Sequence, residues 1–205
     1  NIAGTPYSTT AKIHQIISSS GLTYHFGDKN GNDTNTFIRV SNKHSSENAS
    51  FAGSPDIHSL DDWTVDGQKQ WNLDKHTVVA GFSWDRQSFE HTNGGATFNA
   101  NQFTKALFVE DKWNFATDWN LNTGLRYEHH NLFGGSVTTH IGLNKKLDAN
   151  SHVYLNWGQA VNTPTATQLY TNTMYMDGNP DLKQEKSNTW TLGADTKVND
   201  RLSLS

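Results

Sequence analysis

Apolar and polar residues alternate along most of this chain with a period of two, which predicts β-strands with one apolar and one polar face. The pattern is cleanest from Trp119 to Asn131. There Trp119, Leu121, Leu125 and Tyr127 point one way and Asn120, Asn122, Arg126 and Glu128 the other. From His76 to Glu90 it sets Val78, Ala80, Phe82 and Trp84 against Thr77, Gly81, Ser83 and Asp85. Lys105 to Phe115 aligns Leu107, Val109, Trp113 and Phe115. Weaker versions run from Ala11 to Phe26 (Leu22, Tyr24, Phe26), Asn35 to Asn42 (Thr36, Ile38, Val40) and Asp62 to Trp71 (Trp63, Val65, Trp71). Later strands carry Val137, Ile141, Leu143 and Leu147, then Val153, Leu155 and Trp157, then Trp190, Leu192 and Ala194. Leu202 and Leu204 open a last one, for about ten strands in all.

The connections alternate in length. Those at 28–33, 72–75, 116–118, 148–150 and 199–200 are short and rich in Asp, Asn and Gly. Those at 43–60, 91–102 and 162–187 read as long polar loops, with 132–135 a short exception. Strands of roughly 9–11 residues, short turns on one side and long loops on the other describe an antiparallel transmembrane β-barrel. Trp63, Trp71, Trp84, Trp113, Trp119 and Trp190 lie near strand ends or on outer faces, where a barrel places its interfacial aromatic girdles. Core packing of a soluble β-protein would leave the opposite faces less polar. Gly81, Gly124, Gly142, Gly158 and Gly193 fall on the inner faces.

Composition agrees. Leu, Ile, Val and Phe make up only about a fifth of the residues, yet seven Trp and six Tyr argue against disorder. A wall with a polar lumen reconciles the two. A net charge of −4 gives no nucleic-acid footprint. The absence of cysteine excludes a disulfide scaffold and a thiolate site. No apolar run reaches the roughly 20 residues of a membrane-spanning helix. With no methionine or leader at Asn1 and the pattern interrupted at Ser205, the expectation is a portion of a longer chain.

One stretch organises the rest. A strand ends near Val161 in Gly158-Gln159-Ala160-Val161-Asn162-Thr163-Pro164, and a loop then closes with Asn179-Pro180-Asp181-Leu182-Lys183-Gln184-Glu185 before alternation resumes at Thr189. These two boxes, with Ala160, Pro164, Asn179, Pro180, Leu182 and Glu185 as their marks, resemble the late barrel region of TonB-dependent outer-membrane receptors. The resemblance implies that residues 1–205 are about half of a barrel of some 22 strands, whose N-terminal plug is not in this chain. It implies an outer-membrane receptor of a diderm bacterium, embedded in lipid. It would capture a scarce nutrient, a ferric siderophore first and haem second, and import it with energy from the TonB complex, reached through the plug. A non-energised porin or adhesin barrel, and a soluble secreted β-protein, are the alternatives from other classes.

No catalytic constellation stands out, and the reading is that the chain is not an enzyme and holds no cofactor of its own. The ten histidines invite a metal or haem site. His44, His58 and His91 fall in or beside the long loops, and His129 and His130 are adjacent on a strand and so face opposite ways. That adjacent pair is therefore no metal signature, and no metal ligands are assigned. Haem receptors of this family commonly carry a ligating histidine between the two boxes, and residues 165–178 have none. They offer Tyr170, Met174, Tyr175 and Met176, which with His91 and His58 are the candidate ligand contacts.

Overall fold

The computed structural model describes residues 12–27, 35–51, 54–93, 96–171, 177–199 and 202–204. They form a single antiparallel sheet of ten strands in sequence order, each paired with the one before it. The strands are β1 (Lys12–His25), β2 (Phe37–Phe51), β3 (Ser54–Leu73), β4 (His76–Asn93), β5 (Ala96–Ala116), β6 (Trp119–His130), β7 (Gly134–Lys146), β8 (Ser151–Asn162), β9 (Glu185–Asn199) and β10 (Leu202–Leu204). A five-residue helix, α1 (Ala166–Tyr170), lies between β8 and β9. β1 and β10 do not pair with each other among the described residues, so the sheet has two open edges.

The turns follow from their residues. Asp74 (φ 36°) and Asp118 (φ 64°) take the left-handed conformation at the β3–β4 and β5–β6 turns, which aspartate tolerates through its short polar side chain. Gly134 (φ 77°) does the same after the turn that follows β6. The expected turn at 28–33 lies outside the described residues.

Register puts the two faces on opposite footings. On one, Val65 pairs with Trp84, Phe82 with Leu107, Leu107 with Tyr127, Leu143 with Leu155 and Trp157 with Trp190. Many side chains of this face are exposed, Leu192 to 80% and Trp190 to 69%, and Val65, Trp84, Leu143 and Trp157 are partly covered by their neighbours. Ala49, Ala106 and Leu169 are the buried apolar residues among those described. A soluble domain does not leave such a continuous apolar face in water. Among the described residues no second sheet covers it, as expected of a barrel wall whose outer face meets lipid. Rings stand at the margins of this band. Trp71, Trp113 and Trp119 lie toward the short turns, with Lys69 over Trp71 (5.2 Å) and Lys145 over Trp119 (4.7 Å). Trp157 and Trp190 are 6.1 Å apart, and Lys105 sits over Phe103 (5.3 Å), toward the other end.

The opposite face is polar. Arg126 donates to Glu128 and Ser83, both at 3.2 Å, Arg39 pairs with Asp66 (2.9 Å), and Asn120 accepts from Asn122 and Asn144. The glycines expected on this face are there, and neighbouring rings lie over some of them. A Cβ on Gly193 would run into the Tyr154 ring, and one on Gly124 into the His140 ring.

Two sequence expectations fail at the long-loop end. Residues 43–51, 54–60, 91–93 and 96–102 are strand, not loop: Phe51 pairs with Ser54 and Asn93 with Ala96. The reason is physical. Beyond Trp63 and Trp84 the formerly apolar face becomes polar as well, with His44 bonded to Asp61 (2.8 Å) and Ser88 to Asn101 (2.7 Å). Both faces of this part meet water, so alternation disappears although the ladder continues. Nine residues from Trp84 to Asn93 carry the wall roughly 30 Å further along the strand. The expected loop at 162–187 is real, but shorter, because β9 begins at Glu185.

Candidate functional site

The site is built on the polar inner face of this extension. His58 pairs with His91 across β3 and β4, and His91 with Phe98 across β4 and β5, so the three stand in one row. Asp56 lies two residues before His58 on the same face. Phe89, two residues before His91, lies 6.2 Å from Phe98 and 6.1 Å from His58 between ring centroids.

Asp56 and the two imidazoles converge. Asp56 Oδ1 is 2.7 Å from His91 Nε2 and 3.3 Å from His58 Nε2. The imidazole rings stack at 4.0 Å with 14° between their planes. His91 is only 4% exposed. Burial first, and then the neighbouring His91, hold His58 below the ordinary imidazole value, against the opposing pull of Asp56 and Glu47.

The loop between the two sequence boxes folds over this face. Pro164 precedes Thr165, the N-cap of α1, which accepts from the Gln168 backbone while Gln168 Oε1 accepts from the Thr165 backbone (2.9 Å). Leu169 is buried, and Tyr170 packs its ring 5.3 Å from Phe98. The structure therefore brings Tyr170, His91 and His58 onto one continuous aromatic surface, linked through Phe98 and Phe89. Met174, Tyr175 and Met176 lie outside the described residues.

The boxes close the neck of the loop. Asn162, at the end of β8, donates to Glu185 (3.3 Å), and Gln184 donates to Thr163 (3.2 Å). Asn179 forms an Asx turn by accepting from the Asp181 amide (2.9 Å), and its own amide donates to the Gln168 carbonyl (2.9 Å). Leu182 returns its amide to the Asn179 carbonyl (3.3 Å). Ala160 pairs with Ser187 in the β8–β9 ladder. Pro180, between Asn179 and Asp181, contributes its fixed φ to that turn. These residues shape the loop, and the side chains available to a ligand are those it carries over the row.

Sequence reasoning missed Asp56, Phe89 and Phe98. The signal was present as Asp-x-His at 56–58 and His91 in step with Phe89. Its cross-strand pairing stays hidden when both stretches are taken as loops.

The match to known proteins settles the wider frame. A family model described as TonB dependent receptor-like, beta-barrel, matches residues 3–205. The chain belongs to this family. A comparison with curated proteins returns no match. Among solved structures, this TonB-dependent receptor barrel resembles the siderophore receptor PirA from Pseudomonas aeruginosa, with 18% identity, a TM-score of 0.74 and 91% of this chain covered. It resembles a mutant of the ferric enterobactin receptor PfeA from the same organism, solved in complex with enterobactin, at 17% identity and a TM-score of 0.76 over 93% of this chain. The ferric-catecholate import receptor Fiu from K12 E. coli matches at 15% identity and 0.67 over 95%. The matches cover 36%, 34% and 40% of those chains, so this chain spans little more than a third of their length. At these identities the resemblance is one of fold.

Proposed function

We propose that this chain is one side of the barrel of an outer-membrane receptor that takes up a ferric siderophore in a diderm bacterium. The observation that carries the reading is the aromatic surface of His58, His91, Phe89, Phe98 and Tyr170 on the inner face of a wall that continues beyond the apolar band. A bulky chelate entering the barrel mouth meets these rings first. In this reading the short turns are periplasmic and the extension extracellular. The open edges of β1 and β10 call for further strands, since unpaired edges are not tolerated in lipid. A plug inside the completed barrel would contact the TonB complex, and import would draw on that complex rather than on chemistry in this wall. Siderophore is favoured over haem because the fold matches include receptors named for siderophores.

The test is uptake of radio-iron by iron-starved cells that lack their own siderophore receptors and express the whole reading frame. The expected result is import of a ferric catecholate that stops in cells without TonB and weakens in a Phe98→Ala, Tyr170→Ala double variant. Import of haem but of no siderophore would overturn the ligand assignment. Import independent of TonB would instead support a passive porin.

A further inference from the structure

The structure assigns a divalent transition-metal site to Asp56, His58 and His91, at the mouth of the barrel. The backbone prepares it. Asp56 and His58 share one face of β3 at a spacing of two, and His91 stands opposite His58 on β4. The donor atoms of all three lie within 4.8 Å of one another. In a tetrahedral site with ligand distances of 2.0–2.2 Å, donors stand about 3.4 Å apart. The contacts of 2.7 and 3.3 Å place both Nε2 atoms beside a single carboxylate oxygen. An ion there takes the place of the imidazole–carboxylate contacts, and the half-buried His58 turns out of its stack with His91 to bring its Nε2 lone pair onto the ion.

Two imidazole nitrogens and one carboxylate select a borderline ion such as Zn2+, Ni2+ or Co2+ over Ca2+ or Mg2+, which prefer all-oxygen shells. Iron within a siderophore already has its chelator's oxygens around it, so this donor set addresses a free ion. Three protein ligands leave a fourth position, the arrangement of an exchangeable site rather than a closed structural one. Glu47, paired with His58 from β2, is the next carboxylate in the row. The proposal rests on these residues alone and is independent of which siderophore, if any, is carried.

The test uses metal alone on the whole polypeptide, purified in detergent and stripped with chelator. Competition with a chromophoric chelator should show one Zn2+ equivalent whose affinity falls roughly 100-fold in His58→Ala and in Asp56→Asn. Co2+ should give the intense visible bands of a four-coordinate ion, lost in the same variants. His44→Ala, whose ring bonds Asp61 on the other face, should change neither. Heat-modifiable gel mobility checks that each variant keeps its barrel. Equal Zn2+ affinity in the wild type, His58→Ala and Asp56→Asn would overturn the assignment, as would Co2+ spectra of a hexaaquo ion in the wild type.

Discussion

Replacing Gly178 with alanine tests how the loop is held over the wall. A Cβ at Gly178 would lie 2.6 Å from the Tyr170 amide nitrogen and 2.8 Å from the carbonyl carbon and oxygen of Leu169. All three are backbone atoms, so no side-chain rotation relieves the clash, and the loop segment at Gly178 must separate from α1. That separation strains two backbone hydrogen bonds, from the Gly178 amide to the Thr171 carbonyl and from the Asn179 amide to the Gln168 carbonyl. At about 1 kcal/mol each the loss is about 2 kcal/mol, before any loosening of buried Leu169. Opening of α1 should then be roughly 30-fold more frequent. Hydrogen exchange reads this at the Leu169 and Thr171 amides, which donate to Thr165 and Thr167. Their exchange should accelerate by that factor while the β8–β9 ladder keeps its protection. Gly134→Ala is the control: no atom lies within 4 Å of its Cβ, so its cost is confined to its φ of 77°. Unchanged protection in Gly178→Ala would refute the docking of the loop on α1.

Three further outcomes are expected. Leu192→Arg places a charge on the face assigned to lipid and should cost about 2–4 kcal/mol if it lies near the bilayer midplane, whereas Thr191→Arg on the inner face should cost far less; urea-induced unfolding in lipid vesicles compares them. A double-mutant cycle on Phe98 and Tyr170 should return a coupling of about 0.5–1.5 kcal/mol in loop opening, and additivity would remove the ring contact from the account. Burial is the main cause holding His130 below its ordinary 6.5, and its Nδ1 accepts from the Leu132 amide (3.1 Å). The folded protein thus binds this proton less readily than the unfolded chain, so the imidazole adds a destabilising term as pH falls through 6.5 toward the lowered value, and that term vanishes above 6.5. Exchange at Leu132, corrected for its intrinsic pH dependence, should show the turn opening more often on acidification in the wild type, and His130→Asn should flatten the profile.

The sheet was legible where its two faces meet different solvents. Trp119–Tyr127 and Val78–Trp84 alternate because one side faces lipid and the other the lumen, and the structure places each residue as the period predicts. Legibility ended where the solvents became the same. From 43 to 60 and from 91 to 102 neither face carries a continuous apolar row, and such a strand has the composition of a loop. The site suffered most from this. His58 and His91 were recognisable as chemistry, but their meeting depends on the β3–β4 register, which is set by the turn at Asp74-Lys75 some sixteen residues away. The two boxes were recognisable as a loop neck, and the bonds from Asn162 to Glu185 and from Asn179 to Gln168 explain why polar residues and a proline recur there.

The central claim is that one face of this sheet meets lipid up to Trp63 and Trp84, and that the strands then continue into water. The sequence has no cysteine, so single cysteines can be introduced and spin-labelled without background. Labels at Trp190 and Leu192 should collide with oxygen far more often than with a water-soluble nickel reagent. Labels at Thr189 and Thr191 should show the reverse, and so should Ser59, which shares the Trp63 face but lies beyond the band. That switch at Ser59, with alternation at 189–192, is the predicted result. Equal accessibility at Thr191 and Leu192, or a lipid-like signal at Ser59, would contradict the account.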